Sequence, residues 1–465
     1  MSTLQAILTT GGHTVLGDAV VSQLRSSLRG AMLLPGDDEY DETRKVWNGM
    51  VDKRPALIVR CVGVADVIAT VTFARDHNLL VSVRGGGHNI AGKAVCNGGL
   101  MIDLSWMRGI QVDPVTRTAR VEGGAILGDL DRATQAFGLA TTAGVVSHTG
   151  VAGLTLGGGV GRLAHKYGLT CDNLISGDLV TAEGRVLKVS ATEHTDLFWG
   201  IRGGGGNFGI VTAFEFRLHP VGPGVLGGRM IYPIANARAA LKFYYEYSQT
   251  TPDELSASAS LLTLPNGDHA LAIYVCYIGP IQQGESVLQP LRKFGPPLAD
   301  QIGPIAYTEL QASADVSFPT GLHYYEKSQF MAEIHDEAIE ALVTHFTTVP
   351  SPRSEVAFQQ YGGAVSRVPQ ADTAFGHRDA QYNLIATSVW TDPTESEKHL
   401  NWVRESWDLM RPFSTGGVYV NNLGEEGEDK VRAAYGPHYE RLVALKNKYD
   451  PRNFFRLNAN IKPTV

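Results

Sequence analysis

The stretch VRGGGHNIAG, residues 83–92, decides how this chain is read. It closes LLVSVR (79–84), a short apolar run that predicts a strand. Three glycines and His88 then follow, a turn that no regular element can hold. Upstream, ALIVRCV (56–62) predicts a strand and VADVIATVTFARDHN (64–78) an amphipathic helix. A strand–helix–strand unit of this length predicts a parallel pair with a right-handed crossover.

Further along, GLMIDLS (99–105) and ARVEGG (119–124) predict strands, and AILGDLDRATQAFG (125–138) a helix stopped by Gly138. NLISGDLVTAEGRVLKVS (173–190) predicts a hairpin turning at Glu183-Gly184, and the strand of IVTAFEF follows a further glycine loop. Residues 1–50 read as helical and polar. Composition shifts at Pro220-Val221-Gly222-Pro223, where we place a boundary. Beyond it, strands such as ALAIYVCYI (270–278), EVAFQQY (355–361) and QYNLIATSVW (381–390) alternate with helices such as MAEIHDEAIEALVTHFTT (331–348). That pattern predicts an antiparallel sheet with helices on one face. EDKVRAAYGPHYERLVALKNKY (428–449) predicts one helix before an Asn-rich end.

The chain has 465 residues, enough for two to four domains at about 100–200 residues each. With 43% hydrophobic and 19% charged residues it is expected to fold around a sizeable core. Forty basic against 47 acidic residues give a net charge of −7, and no Lys/Arg block stands out, so nucleic acid is not an expected partner. No run approaches about 18 apolar residues and no basic, apolar leader opens the chain, so a cytoplasmic protein without a membrane span is expected. Four scattered cysteines, Cys61, Cys96, Cys171 and Cys276, argue against a zinc site or a dense disulfide framework, and no metal is expected. Oligomeric state is not legible.

Glycine is the unusual number: 52 of 465, about 11% against a typical ~7%. The excess sits in three loops, 84–92, 150–161 and 202–209. Successive glycines let backbone N–H groups close on a ligand, and such concavities bind anions. Three in one half of the chain point to a phosphate-bearing cofactor. The string GGGNFG (204–209) satisfies GxGxxG, but it precedes a strand instead of following one, so a Rossmann unit fails on context. No P-loop or GxSxG string occurs. A lone loop histidine is ordinarily structural; the string around His88 makes it a candidate nucleophile, base or ligand.

VRGGGHNIAG resembles the flavinylation loop of FAD-linked oxidases of the vanillyl-alcohol-oxidase/p-cresol-methylhydroxylase fold. RPALIVRCVGVADV, GVVSHTGVAGLTLGGGVGRLAHKYGL, DLFWGIRGGGGNFGIVTAFEF and YDPRNFFRLNANI stand in the same order as that family's blocks, and the chain is similar to its berberine-bridge-enzyme-like branch. The resemblance covers about residues 35–220 and 419–463. Between them it is loose, mainly YYEKSQF and YGGAVSRV. It implies an α+β fold: a two-part FAD-binding domain, 1–222 with a C-terminal return over 417–465, and an inserted substrate domain of antiparallel sheet plus helices, 223–416. FAD contacts are implied for Arg84, Gly85, Gly86, Gly87, His88, Asn89 and Gly92. They are implied too for Val146, Ser147, His148, Thr149, Gly153, Gly157, Gly158, Gly159 and Gly161. The remaining implied contacts are Asn207, Gly209, Ile210, Val211, Tyr419, Asn421 and Asn458.

The resemblance also implies a covalent link from His88 to the flavin. Many members add a second link through a cysteine; Val146 stands at that position, so a single link is expected, with a lower flavin potential than in a doubly linked relative. Thr149 occupies the position where a small residue is associated with oxidases and a bulky one with dehydrogenases, so oxygen is the expected acceptor. The family's base is often a carboxylate two residues before the Tyr-Gly-Gly, where this chain has Gln359. Tyr419 in YVN, Tyr361, Tyr325, Tyr324, Glu326 and Lys327 remain as polar candidates, with Tyr419 first and Lys327 as the cation that would lower its pKa. The expected function is an FAD-dependent oxidase. It would move hydride from a small-molecule alcohol, sugar, amine or secondary-metabolite carbon to flavin, with oxygen reduced to hydrogen peroxide. A flavin-dependent oxygenase and a non-enzymatic flavin carrier are the alternatives.

Overall fold

The computed structural model describes residues 3–465. Leu57–Arg60, Leu100–Asp103 and Val81–Arg84 lie parallel, edged by antiparallel Ala31–Leu33. The strands of the predicted strand–helix–strand unit are parallel as expected but do not touch: Leu100–Asp103 runs between them. Its four residues, Asp103 included, are all buried, as a strand paired on both edges and covered on both faces must be. The helix Val64–Asp76 covers this sheet through Val67, Val71 and Ala74.

A second, antiparallel sheet follows in the order Val186–Ser190, Leu174–Val180, Ile210–Arg217, Thr118–Glu122, Ile110–Asp113. The hairpin at Gly184 forms as read, with Gly184 at φ +78°. The amino terminus does not: Thr3–Ile7 and His13–Gly17 pair antiparallel, and only Asp18–Ser27 is a longer helix there. The alternation of Leu4, Ala6 and Leu16, packed on the first sheet, was masked by the polar residues between them.

Seven strands and a short branch make the largest sheet, all antiparallel. The main path runs Ala299–Asp300, Gly224–Pro233, His269–Tyr277, Leu255–Thr263, Glu355–Gln360, Tyr382–Trp390, His323–Met331. One face carries Leu255, Ala257, Ala259 and Leu261 into an apolar layer under the helices Ala237–Ser248, Asp336–Phe346 and Ser396–Met410. The alternate residues are more polar and face the first half of the chain. The carboxyl-terminal segment returns to that half: Val431, Tyr435, Leu442 and Ile461 sit in the core built around the second sheet. The predicted 428–449 helix is two, Glu428–Tyr435 and Tyr439–Tyr449, because Gly436 at φ +54° and Pro437 break it.

Candidate active site

A cavity of about 790 Å³ lies between the glycine loops and the polar face of the large sheet. Two of the loops that line it cross closely. A Cβ on Gly86 would stand 2.3 Å from the Gly150 nitrogen, and one on Gly150 would stand 2.4 Å from that of Gly86. Only glycine fits at either place. The crossing sets His88 against the 144–150 loop, where His88 Nε2 and His148 Nδ1 are 3.1 Å apart and share one hydrogen bond.

His88 stacks on Trp47 at 4.1 Å, and Trp47 on Tyr324 at 3.8 Å. Trp47 is itself fixed by its indole N–H donating to the Phe318 carbonyl at 3.0 Å. Desolvation, with His148 alongside, pushes the His88 pKa down to about 3, which favours the neutral imidazole, one ring nitrogen carrying the proton and the other a lone pair.

The cavity is lined by sixteen of the residues anticipated from sequence, Glu326 among them. Gly85, Gly86, Gly87, His88 and Asn89 come from the first loop, Val146, Thr149 and Gly153 from the second, and Gly209, Ile210 and Val211 from the third. Gln359 comes from the sheet, and Tyr419, Asn421 and Asn458 from the carboxyl-terminal return. Asn458 donates to the Gly206 and Phe455 carbonyls, while its Oδ1 is buried without a partner among the described residues.

Other anticipated residues lie elsewhere, for identifiable reasons. Arg84 is spent on Asp103, through Nε–Oδ1 at 2.9 Å and Nη2–Oδ2 at 2.6 Å. Gly92 packs on Val51. The Ser147 N–H donates to Asp315 Oδ1 at 2.7 Å, and His148 stands behind His88. Gly157, Gly158, Gly159 and Gly161 make room for Asn421, Phe375, Thr170 and the Ala143 carbonyl, so this run serves loop packing. Asn207 is fully buried and ties Gly204 and Ala459 carbonyls to the Ile461 N–H.

The polar candidates sort by strand parity. On His323–Met331, Glu326 faces the cavity, whereas Tyr325 packs on the helical layer and Lys327 pairs with Glu426 at 2.5 Å over Trp407. Lys327 therefore supplies no positive charge to Tyr419. Tyr361 follows the end of its strand at Gln360 and turns, with Gly362 at φ +64°, into an apolar cluster with Phe330 and Phe375. The Tyr419 hydroxyl accepts from the Gly159 N–H and Asn421 Nδ2, both at 2.8 Å, and burial raises its pKa above the ordinary value.

Glu355 was missed. The period of two that groups Ala357 with Gln359 also places Glu355 on the cavity face, one step further back. Its carboxylate accepts from Ser260 Oγ at 3.1 Å, and Glu326 accepts from Asn422 Nδ2 at 2.8 Å. Burial, with Glu355 nearby, raises the Glu326 pKa to about 7; burial also raises that of Glu355. Arg162, Arg229 and Tyr274 line the cavity as well and carried no local motif that would single them out.

These residues fit FAD: a cavity in the ~300–1,000 Å³ range of cofactor sites, a glycine crossing that keeps backbone close, an unpartnered Asn458 acceptor, and apolar walls at Val81, Val83 and Leu104.

Comparison with known proteins agrees. The family model for an FAD binding domain matches residues 55–190, and that described as berberine and berberine like matches 418–462. An FAD-linked oxidoreductase of Dictyostelium discoideum is 36% identical over 96% of this chain and 97% of its own. The (R)-6-hydroxynicotine oxidase of Paenarthrobacter nicotinovorans is 34% identical over 94% of this chain and 97% of its own. Among solved structures, 6-hydroxy-D-nicotine oxidase from Arthrobacter nicotinovorans superimposes with a TM-score of 0.86, at 32% identity, covering 94% of this chain and 98% of that one. The Physcomitrella patens BBE-like 1 protein gives 0.87 at 25% identity, covering 96% and 99%.

The fold and cavity thus define an FAD-dependent oxidoreductase with the FAD-binding fold of the vanillyl-alcohol-oxidase/p-cresol-methylhydroxylase type. The chain belongs to the berberine-bridge-enzyme-like family of FAD-linked oxidoreductases. Among the described residues no helix is long and apolar enough to cross a membrane.

Proposed function

We propose that the protein is an oxidase acting on a small-molecule alcohol, sugar, amine or secondary-metabolite carbon, with FAD linked through His88 alone and oxygen as acceptor. The observation that carries this reading is His88 itself: a half-buried imidazole held between Trp47 and His148 in the cavity wall, where desolvation lowers its pKa. When bound, FAD supplies hydride acceptance and the return of electrons to oxygen as hydrogen peroxide.

The chain's residues supply attachment, orientation and proton removal. The His88 lone pair is available for a covalent bond, and Val146 offers no thiol for a second one. Gln359 cannot take a proton, so the Glu326–Glu355 pair is the base for the substrate O–H or N–H, with Asn422 and Ser260 orienting it. Tyr419 braces the 157–161 loop against Asn421. Thr149 keeps the cavity wall small where oxygen would enter. We divide the chain at 222/223 and 416/417, the points between which it leaves the FAD-binding half to build the large sheet.

The test is His88→Ala. Wild-type protein precipitated with acid is expected to stay yellow and to yield a flavin peptide containing His88; the variant precipitate is expected to be colourless. A variant that still carries covalent flavin, or a flavin–cysteine adduct in either protein, overturns the single-link reading.

A further inference from the structure

The charges facing the cavity are sorted. Glu326 and Glu355 lie towards the His323–Met331 edge of the sheet, the edge that reaches Trp47 and His88 through Tyr324. Arg229 projects from Gly224–Pro233, with four strands between it and that edge. Arg162, directly after the second glycine loop, enters from the opposite wall. Among the described residues neither pair has found a counter-ion. Arg229 Nε donates to Gln301 Oε1 at 2.7 Å, and Arg162 Nη2 to Ser313 Oγ at 3.1 Å. The Nε of Arg162 is buried with no partner among the described residues. Among the described residues neither arginine has a carboxylate within 4.0 Å. Asp131, whose carboxyl feels Arg162, is held by Gln311 instead, and burial raises its pKa to about 7.

Arg162 and Arg229 are half-exposed on the wall of a ligand-sized cavity, so an anion entering it meets two guanidinium groups that no carboxylate of the described residues has neutralised. Tyr274 stands between the two ends. The Arg229 guanidinium lies 6.0 Å from its ring, and its hydroxyl, raised chiefly by burial, is pulled down by Arg229 and Arg162 and pushed up by Glu355. The sheet wall between is short and hydroxyl-rich at Ser258 and Ser260.

We propose that the substrate carries an anionic group, in the simplest case a carboxylate, which binds between Arg162 and Arg229 at the end of the cavity remote from His88. This rests on the oxidoreductase reading above and narrows it: the substrate is an alcohol or amine bearing an acid, its oxidisable end nearer Glu326 and Glu355. A guanidinium fork recognises a carboxylate through paired, charge-assisted bonds that a neutral amide cannot reproduce.

The experiment titrates purified holoenzyme with benzoate, phenylacetate and cinnamate, each against its own primary amide, following perturbation of the flavin absorption band. At least one carboxylate is expected to bind tighter than its amide by about tenfold to a hundredfold, the worth of a charge-assisted bond. Arg162→Met and Arg229→Met are each expected to erase that preference while the flavin-to-protein ratio stays at the wild-type value. The proposal is overturned if no carboxylate binds more tightly than its amide, or if the preference survives in the double variant. It is also overturned if either variant loses flavin, since the arginines then serve the cofactor's phosphates. A purified protein that binds no flavin at all would instead refute the oxidoreductase reading.

Discussion

Glu326 and Glu355 are both register partners of Thr387, approaching it from the two strands that flank Tyr382–Trp390. The sheet thus holds two carboxyls on one cavity wall with a threonine between their backbones. Burial raises both carboxyls, and Glu355 adds to the rise at Glu326, so Glu326 keeps its proton to higher pH than it would alone. Such a pair suits proton removal near neutrality. Glu326→Gln and Glu355→Gln should show which carboxyl takes the proton. Loss of the base is expected to slow anaerobic flavin reduction by about 10²–10⁴. In wild type that rate is expected to rise with pH along a limb centred near the Glu326 value of about 7. If both variants stay within about tenfold of wild type, the base lies elsewhere.

The same carboxyl has a consequence for stability, with a definite sign. The Glu326 pKa stands at about 7 in the folded chain against 4.5 ordinarily, so the native state holds a proton that the unfolded chain releases. Its stabilising contribution is full below about pH 4.5, declines as pH rises, and is gone once pH passes about 7. Glu326→Gln cannot ionise. The variant should therefore match wild type in melting temperature at pH 4.5 and exceed it at pH 8. Equal melting at both values would mean that Glu326 is not held protonated.

Tyr419 was the first candidate for the base in the sequence, and the structure gives it a different task. Its hydroxyl already accepts two hydrogen bonds, burial raises its pKa, and Lys327 lies across the sheet paired with Glu426. Tyr419→Phe leaves the buried Gly159 N–H without its acceptor and Asn421 Nδ2 with the Leu154 carbonyl alone. The expected cost is about 1–3 kcal/mol of stability, with flavin reduction lowered by less than about tenfold. A fall in flavin reduction of about a hundredfold or more, at intact flavin loading, would restore Tyr419 as the base.

What could be read early and what could not follow one division. The glycine loops announce themselves because backbone crossing at Gly86 and Gly150 tolerates no side chain, and that demand is local in sequence. The placing of Leu100–Asp103 between two strands joined by a helix is a tertiary choice, made by burial on both faces, and no local pattern carries it. The polar wall of the cavity is intermediate. Parity along EVAFQQ is legible, and it puts Glu355 with Gln359, but only the pairing of Tyr382–Trp390 with both neighbours brings Glu355 near Glu326. Arg162 and Arg229 lie 67 residues apart and converge only in the fold.

Thr149 offers the sharpest separation of the two half-reactions. Its backbone is fixed on both sides: the N–H donates to the Val146 carbonyl at 3.1 Å, and its own carbonyl accepts from the Leu127 N–H at 2.9 Å. A substitution there changes the side chain without moving the loop that carries His148 or the Gly86–Gly150 crossing. Threonine is close to valine in size, and leucine projects further into the cavity. Thr149→Leu should therefore narrow the approach of oxygen, while the substrate end, set by Glu326, Glu355 and the sheet, keeps its form. Reoxidation by air is expected to slow by about tenfold, the order of a 1–3 kcal/mol steric penalty, while anaerobic flavin reduction stays within about twofold. Stopped-flow mixing of the reduced variant with aerated buffer reads the first quantity, and anaerobic mixing with substrate the second. Reoxidation at the wild-type rate would show that Thr149 does not control oxygen access, and slowing of both steps together would show that the substitution disturbs the cavity as a whole.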